Sequence, residues 1–421
     1  MLKPCYKPLD SRLRHDRIAR FGFSVHFLPI FCGERLKDQA ACMPEGSLRD
    51  WIALSFATGV GSRTAALLID RFGAPTAVLN APDAALERAG VKSESIRSIK
   101  NTELIAKADK ELAALEKLGG RVLTLAGEDY PTLLRETYDP PIVLYALGDL
   151  TGALSQAAIA VVGSRRCSTY GRNAAEMLAR DLAERGVTVV SGLARGIDSA
   201  AHRGALDGKG LTVAVTGTGL DSVYPRENLK LAEKIAAQGA LVTEFPLGTP
   251  PLSQNFPFRN RVISGISLGV LVVEGAERSG SLITARMAYE QGREVFAVPG
   301  NITSAKSFGP NYLIKDGAKL VHTWRDVVEE LPGEIKAAIL SGERSEQANR
   351  TRTEQLALDE VALSDSEQKV LALLKPDEAV HIDQLLVKSR LQSGELMGAL
   401  LQLEMLERVR QLPGKSFVRR L

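Results

Sequence analysis

The chain has 421 residues, 45% hydrophobic and 24% charged, a globular balance that excludes a disordered chain and fits roughly two to four domains. Its 53 Lys and Arg against 50 Asp and Glu give a net charge of +3, which marks neither a polybasic tail protein nor an acidic chaperone. No run of about 18 apolar residues occurs, which argues against a membrane-spanning helix. Four cysteines without a CxxC pair support neither a disulfide scaffold nor a zinc site.

In chain order, residues 1–46 read as an atypical, poorly ordered extension. The first 42 hold Cys5, Cys32 and Cys42 and carry eight basic against four acidic residues. That segment sums to +4, so everything after it sums to −1. Phe21 to Cys32 is an apolar stretch behind basic residues, as in a secretion signal, but it contains Gly22, His26 and Pro29 and no small-residue cleavage site follows. An upstream start codon, with Met43 the next candidate, accounts for such a segment; a functional basic arm and a targeting peptide are the alternatives.

Residues 47–117 have helical periodicity. Trp51, Leu54, Ala65, Leu68 and Ile69 recur at helix spacing around Gly59-Val60-Gly61, and GVGSRTAALL has the pattern of a helix-hairpin-helix. Such hairpins bind phosphate through the glycine turn or serve only as packing units. Both readings stay open.

Residues 118–335 alternate apolar, β-branched runs with helix-like stretches. The strands are expected at 121–125, 158–163, 187–191, 211–216, 241–245, 268–275 and 294–300. Near-continuous apolar strands between helices predict an α/β domain with an extended Rossmann-like, doubly wound and mainly parallel sheet. A polar linker, 336–362, follows. Residues 363–421 give three short amphipathic helices and two strands around Pro413-Gly414-Lys415, a winged-helix pattern. The helix that would enter a DNA groove, about 393–407, carries Glu395, Glu404 and Glu407. These carboxylates oppose a phosphate-lined groove and favour a protein-interaction or accessory role, while the basic wing (Lys415, Arg419, Arg420) keeps edge contact with DNA open.

Ligands of doubly wound sheets lie beyond the carboxyl ends of the strands, which directs attention to the loops there. GSRRCSTYG brings Gly163, Ser164, Arg165 and Arg166 to a helix start, where free N–H groups and two guanidiniums suit phosphate. SGLARGIDSAAH supplies Gly192 and Gly196; its Asp198 and His202 read as an N-cap and a satisfied polar residue rather than an acid–base pair. TGTGLDSVYP is closed by Tyr224-Pro225. NFPFRNR, read as a proline-bent loop, interleaves Phe256 and Phe258 with Arg259, Asn260 and Arg261, and stacking faces beside guanidiniums are what single-strand binding uses. Ser279, Gly280 and Ser281 open a further helix.

Catalytic signatures are missing. There is no GxxxxGK[ST] loop and no GxSxG elbow, and His15, His26, His202, His322 and His381 lack metal spacing. No catalytic residue, metal or cofactor is expected.

Together GSRRCSTYG, SGLARGID, TGTGLDSVYP, EFPLGTPPLSQNFPFRNRVISG and SGSLITARMAYEQGREVFAVPGN closely resemble the DNA-processing protein A family (DprA, also called Smf), over about residues 47–421. The resemblance implies a cytoplasmic, non-enzymatic homodimer, joined through the Rossmann-like domain, that binds single-stranded DNA. It also implies protection of that strand and its delivery to RecA during natural transformation. Carried over, Gly163, Ser164, Arg165 and the backbone of Gly192 and Gly196 would line the pocket, with Phe256, Arg259, Asn260 and Arg261 supplying stacking and charge. Some relatives place a lysine where this chain has Ser253, so the resemblance does not carry that cationic contact over. The rival expectation is a nucleotide-processing enzyme of the phosphoribohydrolase type. Its PGGxGTxxE signature is absent, and Glu290 is the nearest acid.

Overall fold

The computed structural model describes residues 47–341 and 363–420, apart from residues 377 and 407. The N-terminal extension and most of the expected linker therefore lie outside the described residues. No described helix is long and apolar enough to cross a membrane.

Six helices between Leu48–Ser55 and Glu103–Lys117 form the first module. Gly73 ends the Ser62–Phe72 helix with φ +87°, and Pro75 opens the next at a position where its missing N–H costs nothing. Trp51, Ile52, Leu68, Leu86, Ile96 and Leu115 are buried together with Val143, Tyr145, Leu220 and Leu241 of the following domain. One apolar core thus joins the helical module to one flank of the sheet.

That sheet has nine strands: β1 (Arg121–Thr124), β2 (Val143–Gly148), β3 (Ala158–Val162), β4 (Thr188–Ser191), β5 (Thr212–Val215), β6 (Ala240–Thr243), β7 (Gly269–Val272), β8 (Glu294–Ala297) and β9 (Lys319–Leu320). Their order is β1-β2-β6-β5-β4-β3-β7-β8-β9. From β6 through β9 every pair is parallel, whereas β2 runs antiparallel to both β1 and β6. The extended Rossmann-like class is confirmed, with two antiparallel strands added on one side. β3 and β4 are buried at every residue because helices cover both faces, which is why they read as unbroken apolar runs. The chain steps from β3 outward to β6 and then returns to β7 on β3's other side. The crevice between β3 and β7 is therefore the topological switch point.

The C-terminal module is a winged helix. Helices Asp365–Leu373, Ile382–Ser389 and Ser393–Met405 pack Val370, Leu385, Leu396, Leu400 and Leu403 into a small core with Phe417. Its sheet comprises β10 (Val380–His381), β11 (Val409–Leu412) and β12 (Ser416–Arg419), in the order β10-β12-β11. The module docks on the helix Thr169–Ala183, where Arg410 Nη2 donates to Glu176 Oε2 at 2.7 Å and Asn173 Nδ2 to the carbonyl of Pro376 at 3.0 Å.

Candidate nucleic-acid interface

The loops after β3, β4, β5 and β6 converge at the carboxyl edge of the sheet. In the first, Gly163 packs against Ile197 and the carbonyl of Glu274, and the N–H of Arg166 donates to Ser164 Oγ at 3.2 Å. Arg165 and Arg166 are exposed. The helix Thr169–Ala183 that follows was expected to offer its start to a phosphate, and here the structure corrects the sequence reading. The N–H of Ser168 donates to Glu274 Oε2 at 2.9 Å, and its hydroxyl donates to Oε1 of the same carboxylate. Glu274 is buried, and a Cβ at Gly171 would collide with it. An anion of the protein's own already sits at the positive end of this helix. What the loop presents to solvent is its pair of arginine side chains.

Beneath that loop lies a buried ion pair. Arg259 Nη1 stands 3.9 Å from Asp198 Oδ2 and donates to the carbonyl of Val215 at 3.4 Å. Its guanidinium fills the place where a Cβ of Gly192 would sit, so only glycine leaves room for it. Gly196, at φ +77°, backs onto the main chain of Ser164 and Arg165 and ties the two loops together. Gly196 is also the N-cap of the helix Ile197–Asp207, and Asp198 lies in its first turn, so the expected cap role of Asp198 gives way to pairing with Arg259. Burial pushes the Asp198 carboxyl up, against the pull of Arg259. Burial also lowers Arg259 to about 10, against the opposing effect of Asp198, which leaves the guanidinium charged at neutral pH. His202 takes no part. Buried, it donates from Nδ1 to Thr212 Oγ1 at 2.7 Å, since that hydroxyl spends its own proton on the carbonyl of Val189. Burial drops its pKa to about 3, so the ring is neutral.

NFPFRNR is not a loop but the start of the helix Asn255–Gly265. Pro257 falls in the first turn, where no intrahelical acceptor awaits its nitrogen, so the proline is tolerated. Asn255 anchors the turn through Nδ2, donating to the carbonyls of Gly217 and Pro250 at 3.0 and 3.3 Å. Half-buried Phe256 is then held between three partners. The guanidinium carbons of Arg165 and Arg259 lie 4.8 and 5.8 Å from its ring centre, and the Tyr224 ring lies 6.1 Å away, tilted by 43°. Tyr224 is 45% exposed. The sequence reading treated it as loop closure; an aromatic in a glycine-rich loop after a strand was the signal available. Asn260, one turn beyond Phe256, is half-buried.

Arg261 sits elsewhere. It is buried, bonded through Nη1 to the carbonyl of Asp139 at 2.5 Å, through Nη2 to Ser62 Oγ at 3.3 Å, and paired with the carboxylates of Asp139 and Glu244. Its geometry is that of an internal tie between the helical module and the sheet, not of an open contact. Ser279, Gly280 and Ser281 lie beside the switch-point crevice. The two serine hydroxyls are 2.8 Å apart and flank Gly275, next to Glu274. Glu290, the acid of the rival enzyme reading, lies at the far end of the same helix, exposed and paired with Arg286 at 2.9 Å.

Fold and edge together define a Rossmann-like protein with a cationic, aromatic rim and a docked winged helix. Residues 121–332 match the family described as DNA recombination-mediator protein A, and residues 354–415 match the DprA winged helix domain. The chain belongs to the DNA recombination-mediator protein A family. It is 50% identical over 224 residues to Protein Smf of Escherichia coli (strain K12), a match spanning 53% of this chain and 60% of that protein. It is 44% identical over 226 residues to DNA processing protein DprA of Bacillus subtilis (strain 168), covering 54% and 76% of the two chains. The X-ray structure of DNA processing protein A from Streptococcus pneumoniae superposes with a TM-score of 0.61 at 34% identity, covering 68% of this chain and 99% of that one.

Proposed function

We propose that this chain is a single-stranded-DNA-binding recombination mediator, active in the cytoplasm, which protects incoming strands and loads RecA on them during natural transformation without itself turning over a substrate. The observation that carries this reading is the exposed Arg165 stacked on Phe256 beside Tyr224. A base extends such a stack whatever its identity, while the guanidinium holds a phosphate. The remaining contacts fall to Arg166 and Asn260 on the rim and to Gly163, Ser164, Gly192 and Gly196, which shape the loops. Arg259 acts from behind Phe256. Ser279, Gly280 and Ser281 mark the neighbouring boundary. The homodimer that goes with this reading is supported by large apolar residues that the Rossmann-like domain leaves exposed, among them Ile283, Tyr289, Ile302, Phe308 and Tyr312.

Titration of labelled single- and double-stranded oligonucleotides at two salt concentrations tests the proposal. The expected result is preference for the single strand, weakening as salt rises, and faster RecA assembly on the coated strand. Equal affinity for both forms, or binding indifferent to salt, would overturn the assignment; binding without any gain in RecA assembly would remove the mediator role.

A further inference from the structure

A second cation–aromatic pair lies at the seam between the helical module and the sheet domain. The guanidinium carbon of Arg63 stands 4.1 Å from the ring centre of Tyr138. Tyr138 is 70% exposed and Arg63 is exposed as well. Among the described residues Arg63 has no carboxylate partner, so its charge is available to an outside anion. The pair is held in place from below. Arg261 bonds Ser62, the residue before Arg63, and Asp139, the residue after Tyr138. The Asp139 carboxylate, next to Tyr138 in the chain, is itself paired with Arg261.

The same helix therefore addresses both pairs. Phe256 opens Asn255–Gly265, and Arg261 lies on it a little over one turn later, about 7.5 Å of rise. Between them Phe258 is 55% exposed. A strand stacked on Phe256 and continued along the axis of this helix would advance toward Arg261 and the Tyr138–Arg63 pair that it holds. We infer that Arg63 and Tyr138 form a second station for single-stranded nucleic acid, a base stacking on the exposed pair while Arg63 holds a phosphate, and that Arg261 positions the station rather than touching the strand. The inference rests on the proposed single-strand groove, and it recruits the helical module to that groove.

The test is titration of the full chain with oligothymidylates of about 5 and about 16 nucleotides. Combining Arg63→Ala with Tyr138→Ala should weaken the longer strand about five- to tenfold, leave the shorter one unchanged, and flatten the salt dependence by about one phosphate contact. Tyr138→Phe should retain wild-type binding, because the stacking face is kept. Wild-type affinity of the double variant for the longer strand, or an equal loss at both lengths, would overturn the second station alone. Failure of the wild-type chain to bind either length would overturn the groove itself.

Discussion

The carboxyl edge of the sheet and the exposed helix of the winged-helix module treat solvent in opposite ways. At the edge, arginines and aromatics reach outward over a rigid base: Arg165 and Tyr224 flank Phe256, and the charge beneath them is balanced by Asp198. On the helix Ser393–Met405, the residues facing solvent include Met397, Leu401 and Met405 with Glu395 and Glu404. A winged helix that reads duplex DNA sets cations against phosphates; this one sets carboxylates and apolar groups there. On the proposed reading, affinity for a polyanion would follow where individual charges are placed and supported, not the name of the module that carries them.

Four measurements test this contrast, beginning with the one that should move its observable furthest. The first is acid sensitivity beneath the edge. An unfolded imidazole takes its proton near pH 6.5 and folded His202 only near pH 3, so the unfolded state gains protons the native state refuses as pH falls through that interval. Stability is lost on acidification, on the order of 3 kcal/mol by about pH 4. Urea unfolding across that range should show the slope, and His202→Gln, which takes no proton, should lack it despite a lower starting stability. The second is Gly192→Val, which displaces the Arg259 guanidinium. We expect a cost of about 2 kcal/mol in urea melts together with weaker strand binding, because Phe256 loses its backing.

The third is Arg165→Glu, an exposed change that leaves the fold intact. Fluorescence anisotropy should report single-strand affinity reduced about tenfold; an unaltered value would remove the rim from the interface. The smallest effect belongs to the other region. Met397→Lys with Leu401→Lys should change stability by less than about 0.5 kcal/mol, leave single-strand binding alone, and raise duplex affinity about two- to threefold. A loss of single-strand affinity in that variant would erase the distinction between the two surfaces.

The parallel strands were legible because burial on both faces writes itself as unbroken apolar runs. β2, a six-residue strand that starts two residues after Pro141, was not among the expected strands, and β9 has only two residues. NFPFRNR was misread as a loop because a proline argues against a helix everywhere except its first turn. Arg165 and Phe256 could each be chosen from local pattern, and the structure places them in contact. The identity of their supports could not. Glu274 meets Ser168 across 106 residues of sequence, and Arg261 meets Asp139 across 122 and Ser62 across 199. Such pairs leave no periodicity or spacing behind, so an internal arginine and a rim arginine look alike in sequence.

The carboxylate of Glu274 occupies the start of the helix Thr169–Ala183. In a dinucleotide-binding Rossmann domain that position receives the phosphate of a free nucleotide. Here the seat is taken by Glu274, so small nucleotides are expected to compete poorly for the proposed rim. A polymer does not need the seat, since it gains from many weak stations spread along its length. If the chain binds strands as proposed, selection of long strands over abundant monomers would be achieved by occupation, with a side chain acting as the resident competitor.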